Sequence, residues 1–290
     1  MRTTGFTLIE LLVTVSIMAL LIGLLLPVLG AARIAGRRAA TLSDLRQCMT
    51  GHVMYQHDYE GHVPWGYTPI TLYGEAVTVR SARSKHTFGF PVSERFPWRL
   101  EWYLSEVWDT LYSQQPPPDA PRADDPLGPA SVKAYDISLF PTFALNTAYV
   151  GGHAGPLGGF VTDPQSGFNV PNVGEHVVFY DRDVDQTSEL IVFTEVLARN
   201  GDDPLSTDNP DAGLHWSTPP LAGGRRWTAQ GDTIGSDRPG NLQGLPISRT
   251  GPGTPTAFFD GHVEVLDTDE LSDMRRWSVA AKTPDDDPIP

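Results

Sequence analysis

The chain has 290 residues, a net charge of −14 and a single cysteine. This length suits one or two domains, and a lone cysteine excludes an intrachain disulfide and a cysteine zinc site. The acidic balance repels polyphosphate and anionic lipid, which argues against nucleic-acid binding and fits solubility or divalent cations better. Seven Trp, nine Tyr and twelve Phe supply a core, whereas 28 Gly and 26 Pro favour sheet with long connections over a helical bundle.

The first ten residues run Met1-Arg2-Thr3-Thr4-Gly5-Phe6-Thr7-Leu8-Ile9-Glu10, and the 22 residues from Leu11 to Ala32 carry no charge. At ~1.5 Å per residue that run crosses a hydrocarbon core of ~30 Å as a helix. A carboxylate at the depth of Glu10 is costly there, and such groups usually have a partner and a job.

Gly5-Phe6-Thr7-Leu8-Ile9-Glu10 followed by an apolar helix resembles the prepilin signal of type IV pilins and type II secretion pseudopilins. The resemblance implies cleavage after Gly5 by prepilin peptidase, N-methylation of Phe6, and retention of the helix on the mature protein. Glu10 would pair with a neighbouring subunit's terminal amine, and Pro27 falls where many of these helices carry a proline. The alternative is an ordinary uncleaved signal anchor. Arg33, Arg37 and Arg38 follow the span, so a count of positive charge places the C-terminal part in the cytoplasm. The prepilin reading overrides that count, because Gly5 must face a cytoplasmic-side peptidase.

Beyond Pro27, Leu42, Leu45, Met49, Val53 and Gln56, flanked by Cys48, His52, Tyr55 and Tyr59, recur at spacings of three and four. They predict one helix from about Thr7 to Tyr59 whose second half packs under a head. Pro27 invites bending or local melting near Gly23. Cys48 is expected to be buried as a small apolar residue. Gly61 is read as the left-handed residue just past the helix and Pro64 as its stop. The exit segment from Tyr55 to Pro64 is similar to that of a large-headed subfamily of pilin-like proteins. His52, His57 and His62 step by five, which spreads them around the helix rather than along one face.

Short apolar alternations from Pro64 to Pro97, such as Glu75 to Val79, are read as irregular strands, and Pro97-Trp98-Arg99-Leu100 opens a second helix with Leu100, Tyr103, Leu104, Val107, Trp108 and Leu111 on its core side. Trp98, Trp102 and Trp108 there are read as core, with a sugar-binding surface as the alternative. The Pro-rich stretch from Ser113 to Ser131 is an expected exposed loop. Phe140 to Val150, Glu175 to Asp181 and Ser188 to Val196 read as strands, the last buried on both faces. The glycines between Gly151 and Gly159 are turn material. Asp181, Asp183 and Asp185, with Glu189 shortly after, form an acidic turn. A calcium loop is the alternative, since hard oxygen ligands suit Ca2+, but Gln186 and Val192 stand where an EF-hand needs glycine and carboxylate.

Asp202 to Leu245 is expected to be a polar surface loop. Thr256 to Leu266 is a hairpin with a two-residue type I′ turn at Asp260-Gly261. It also resembles the C-terminal His-x9-Asp-Gly motif of the large-headed subfamily, with Thr250 in place of the histidine and Arg249 before it. Asp267 and Glu270 have capping-box spacing at the start of a short helix, and Thr283 to Pro290 reads as a frayed acidic tail.

The expected organisation is a leader at 1–5, an assembly helix at 6–62 and an acidic head at 63–290. The expected fold class is α+β, a long N-terminal helix on a loop-rich antiparallel sheet. Removing Arg2 with the leader leaves 20 basic and 35 acidic residues, a net charge of −15. Residues 6–62 hold four charges of each sign, so the excess sits on the head. No nucleophile elbow, His-x-x-x-His pair or P-loop is present, so no enzyme and no cofactor are expected. The expected role is a structural filament subunit, anchored once in the inner membrane with its head on the periplasmic or extracellular side. Prepilin peptidase and other pilin-like subunits are the expected partners. The alternative is an anchored or filament-tip module that recognises polysaccharide or an exported protein.

Overall fold

The computed structural model describes residues 7–104, 107–113, 134, 135, 137–155, 159–162, 165–167, 169–171, 176–200, 212–222, 225–230, 233–236 and 242–289. Helix α1 spans Leu8–Asp58, 51 residues, and so extends about 75 Å. It runs unbroken through Pro27. Its buried residues are Thr41, Leu45, Cys48, Met49, Gly51, His52 and Gln56, a stripe at helical spacing on the second half alone. Leu42 is half-buried, and Val53, expected on that face, is 45% exposed because it falls to one side of the stripe.

The helix ends as the Gly-rich exit requires, one residue earlier than expected. Glu60 takes the first left-handed position (φ 53°) and Gly61 the next (φ 87°). The Gly61 N–H donates to the Gln56 carbonyl at 2.8 Å, which satisfies one of the orphan carbonyls of the last turn. A side chain at Gly61 would collide with the Asp181 carboxylate, 2.4 Å from the position of a Cβ.

The head is built on short antiparallel strands. In chain order these are β1 (Thr71–Leu72), β2 (Glu75–Ala76), β3 (Val79–Arg80), β4 (Thr87–Phe88), β5 (Phe143–Leu145), β6 (Phe160–Thr162) and β7 (Asn169–Pro171). They continue with β8 (Ile191–Glu195), β9 (Leu197–Asn200), β10 (Leu221–Ala222), β11 (Arg225–Gln230), β12 (Thr233–Ser236), β13 (Leu242–Leu245), β14 (Thr254–Phe258) and β15 (Val263–Leu266). The central sheet has the order β15-β14-β8-β5, with Ala257 opposite both Phe193 and Val263. Every residue of β8 and β14 is buried, because each face of the sheet is covered, and this is why Leu190 to Phe193 reads as a continuous apolar run.

On one face, Leu45, Cys48 and Met49 of α1 pack with Val192, Phe193, Ala257 and Phe259. On the other, Ile191, Phe258 and Leu266 pack with Tyr149, Met274 and Trp277. The architecture is α+β and pilin-like, a long N-terminal helix whose C-terminal half lies on antiparallel sheet.

Several local expectations are corrected. The second helix is two short ones, α2 (Pro97–Leu100) and α3 (Val107–Leu111). Between them Glu101 and Trp102 turn to the segment after β3, where the Glu101 carboxylate accepts from Ser81 Oγ and the Ala82 N–H. The Trp102 indole donates to the Arg80 carbonyl. Trp98 is core, Trp102 is 51% exposed, and the side chain of Trp108 lies outside the described residues.

Residues 176–181 form bridges rather than a strand, through Val150 to Val178 and His62 to Tyr180. Asp202 to Leu245 is not a surface loop throughout: its described part contains β10 to β13, and Leu221, Trp227, Ile234 and Leu245 join the second core. The hairpin turn is not type I′. Among its residues only Gly261 has positive φ (94°), and its N–H donates to the Phe258 carbonyl at 2.9 Å, whereas a type I′ turn needs two left-handed residues. Helix α4 (Thr268–Leu271) has the expected capping box. The segment after it docks rather than frays: Ile289 joins the second core, and the Met274 N–H donates to the Pro284 carbonyl. The loop expected at 113–131 lies outside the described residues from 114 onward.

Candidate assembly site on the N-terminal helix

Every residue from Thr7 to Arg37 is exposed. Between Leu8 and Leu29 this leaves a full turn-by-turn coat of Leu, Ile, Val and Met with no cover from the other described residues. It is one helix long and apolar enough to cross a membrane. An uncovered apolar surface of this extent has to be covered by lipid or by other helices.

Thr7 caps this helix. Its Oγ1 accepts from the Glu10 N–H at 3.3 Å, and Glu10 Oε2 accepts from the Thr7 N–H at 2.9 Å and from Thr7 Oγ1 at 2.7 Å. Thr7-x-x-Glu10 has capping-box spacing, a local signal that the sequence itself carries. The consequence is that Glu10 is oriented toward the helix start, where the chain's N-terminal residues emerge and where the helix dipole favours negative charge. Gly5 and Phe6 lie outside the described residues. Pro27 lies within α1, where it lacks an N–H for the Gly23 carbonyl.

The span joins the head at Arg38, whose Nη2 donates to the Pro252 carbonyl at 2.7 Å. Glycine shapes this loop through its backbone: Gly251 and Gly253 take positive φ (128° and 75°), and a Cβ at Gly253 would lie 2.8 Å from Val265 Cγ1. Sequence reading did not single out Gly251-Pro252-Gly253.

The other sequence-predicted sites fall as follows. Cys48 is fully buried, as expected, and burial pushes its thiol far above the usual range. His52 is also fully buried, with its ring edge-on to Phe193 and Phe259 at 5.8 and 5.9 Å. His57 is exposed and His62 lies against Tyr180, so the three histidines do not meet. Asp181, Asp183, Asp185 and Glu189 are exposed. Asp183 accepts from the Tyr180 N–H at 3.2 Å, and Arg182 lies 3.9 Å over the Tyr180 ring. Among the described residues no three His, Cys, Asp or Glu side chains gather as a metal ion would need.

Thr250 is buried, with its hydroxyl 3.2 Å from that of Ser248. Beside it Arg249 engages the buried Glu195 carboxylate at 3.2 Å.

Residues 1–26 match the family model described as the prokaryotic N-terminal methylation motif. Comparisons with curated proteins and with solved structures find no match. The motif supports a pilin-like subunit of the kind processed by prepilin peptidase.

Proposed function

We propose that the chain is a structural subunit of a type II secretion pseudopilus or a type IV pilus-like filament. Prepilin peptidase cleaves after Gly5, and Phe6 becomes the methylated N-terminus. The helix is stored in the inner membrane and then moves into the filament core. The observation that carries this reading is the division of α1 into two halves. Residues 41–56 are packed against the sheet, whereas 7–37 offer apolar surface to something outside the chain.

Lipid tails and a bundle of like helices are both apolar, so transfer from one to the other is nearly neutral for the apolar residues. Polar groups then decide register. Glu10 supplies it, because a desolvated carboxylate is stabilised opposite a positive amine and is costly when left alone. Its capping-box oxygen is already engaged with Thr7, and the pairing uses the carboxylate where it faces the helix start.

The head lies on the periplasmic or extracellular side. Arg38, one of the three arginines that weigh against this orientation, is bound to the head at Pro252, so it acts in the head junction. Fusion of a reporter after Pro290 tests the orientation: activity restricted to the exported side supports it, and activity restricted to the cytoplasm refutes it.

A further inference from the structure

The C-terminal end of α1, the chain at 62–65, strand β3 and the turn after α2 enclose a cavity of about 710 Å3, a size typical of small-ligand sites. Its wall includes Tyr59, Trp65, Trp102, Tyr103, Arg80 and Arg99. We propose that this cleft binds an acidic saccharide, a sugar chain bearing uronate-type carboxylates.

The aromatic side is preorganised. Tyr55 and Tyr59 stack at 4.3 Å with an interplanar angle of 23°, and Tyr103 meets Tyr55 edge-on at 5.9 Å. Trp102 is an exposed ring that does not swing freely, because its indole N–H is bound to the Arg80 carbonyl at 2.7 Å. A fixed, solvent-facing indole does little for the core but offers a flat apolar platform to the C–H face of a sugar ring. Burial pushes the Tyr55 hydroxyl up to about 12 and raises that of Tyr103. Both phenols therefore stay neutral at physiological pH, the Tyr103 hydroxyl donating to the Asp58 carboxylate.

The charge comes from Arg99. It is buried, and among the described residues it forms no ion pair, although the protein has 35 acidic residues. Its guanidinium is fixed by the Arg95 carbonyl at 2.8 Å and the Ser93 carbonyl at 2.7 Å. A further contact reaches Thr68 Oγ1 at 3.4 Å. Three such bonds do not exhaust the five N–H donors of an arginine. Burial lowers its pKa to about 10, so it remains a cation at neutral pH. A buried cation whose partners are neutral carbonyls is completed by an incoming carboxylate.

Arg80 also lines the cleft, and Lys85 sits 5.0 Å from the Trp102 ring centroid. Asp58, the carboxylate of the lining, stands beside Tyr103 and suits sugar hydroxyls. The acidic head opposes any polyanion, but a uronate chain carries one charge per ring, less dense than a polyphosphate, and its rings can lie on the aromatic platforms beside the local positive site. This inference does not depend on the filament role.

The test uses the full-length chain in detergent micelles, titrated with trigalacturonate and with uncharged galactotriose, followed by calorimetry and tryptophan fluorescence. The expected result is saturable binding of trigalacturonate, at least about tenfold tighter than galactotriose, as one charge-assisted contact implies. Trp102→Ala is expected to keep its melting temperature and to weaken binding by about tenfold. Arg99→Gln is expected to erase the preference for the acidic sugar. Should that variant unfold, the salt dependence of wild-type binding replaces it, with weakening on added salt as the supporting outcome. No saturable binding by the wild type, equal affinity for both sugars, unchanged binding by Trp102→Ala, or salt-independent binding overturns the proposal.

Discussion

Arg249 and Glu195, 54 residues apart, form a buried ion pair in which Nη1 lies 3.2 Å from Oε1. The Arg249 N–H donates to the same carboxylate oxygen at 3.1 Å, and its Nη2 donates to the Val196 carbonyl at 2.7 Å. One side chain thus ties the end of β8 to the loop that leads into β14, the two central strands of the head. Removing one partner of such a pair leaves an uncompensated buried charge at a cost of about 3–5 kcal/mol. Arg249→Ala is therefore expected to lower the melting temperature of the head sharply. Arg249→Met with Glu195→Leu is expected to recover most of the loss. An Arg249→Ala protein that melts with the wild type would contradict a stabilising role for the pair.

His52 makes acid destabilising. Burial lowers its pKa to about 3, from the usual value near ~6.5. Below ~6.5 the unfolded chain binds a proton that the folded chain refuses, so stability falls as pH drops toward about 3, by up to about 1.4 kcal/mol per pH unit. His215, also buried, is lowered well below its ordinary value and acts in the same sense. Thermal melts between neutral pH and about pH 4.5 should show a shallower decline for His52→Leu than for the wild type. Identical slopes in the two proteins would mean that His52 is protonated in the fold.

Gly61 is needed for both its backbone and its lack of a side chain. Its φ is 87° and the Asp181 carboxylate fills the space of a Cβ. Gly61→Ala is expected to destabilise by more than about 1 kcal/mol, whereas Glu60→Gly, at φ 53°, is expected to stabilise by up to about 1 kcal/mol. Chemical denaturation of the two variants checks the opposite signs; a neutral Gly61→Ala would mean that the helix exit relaxes.

The proposed processing is tested separately from the proposed assembly. Gly5→Leu is expected to block cleavage, so that mass spectrometry finds the five leading residues still attached. A mature N-terminus at Phe6 in that variant would overturn the assignment of Gly5.

What the sequence revealed depended on how local the cause was. The charge-free run after Glu10, the three-and-four spacing from Leu45 to Gln56, and the Asp267 to Glu270 cap each act within one or two helical turns, and all reappear in the structure. The burial of Leu190 to Phe193 was legible because a strand covered on both faces has no polar alternation. By contrast, Leu221, Trp227, Ile234 and Leu245 stand singly among polar residues. Their burial depends on Tyr149 and Trp277, far away in the chain. The break after Leu100 depends on Ser81 and Ala82, which bind the Glu101 carboxylate. The aromatic cleft draws on three separate stretches, 55–65, 78–80 and 99–103, so no one stretch announces it. In the N-terminal helix the position of Glu10 was legible, and its capping partner Thr7 was equally available from spacing.

The most direct test of the account is Glu10→Ala, expressed in the native host and compared with the wild type by N-terminal mass spectrometry and by recovery of sheared surface filaments. The account predicts a variant that is inserted in the membrane and cleaved after Gly5 yet yields no filaments. Filaments as abundant as those of the wild type would contradict the pairing role of Glu10.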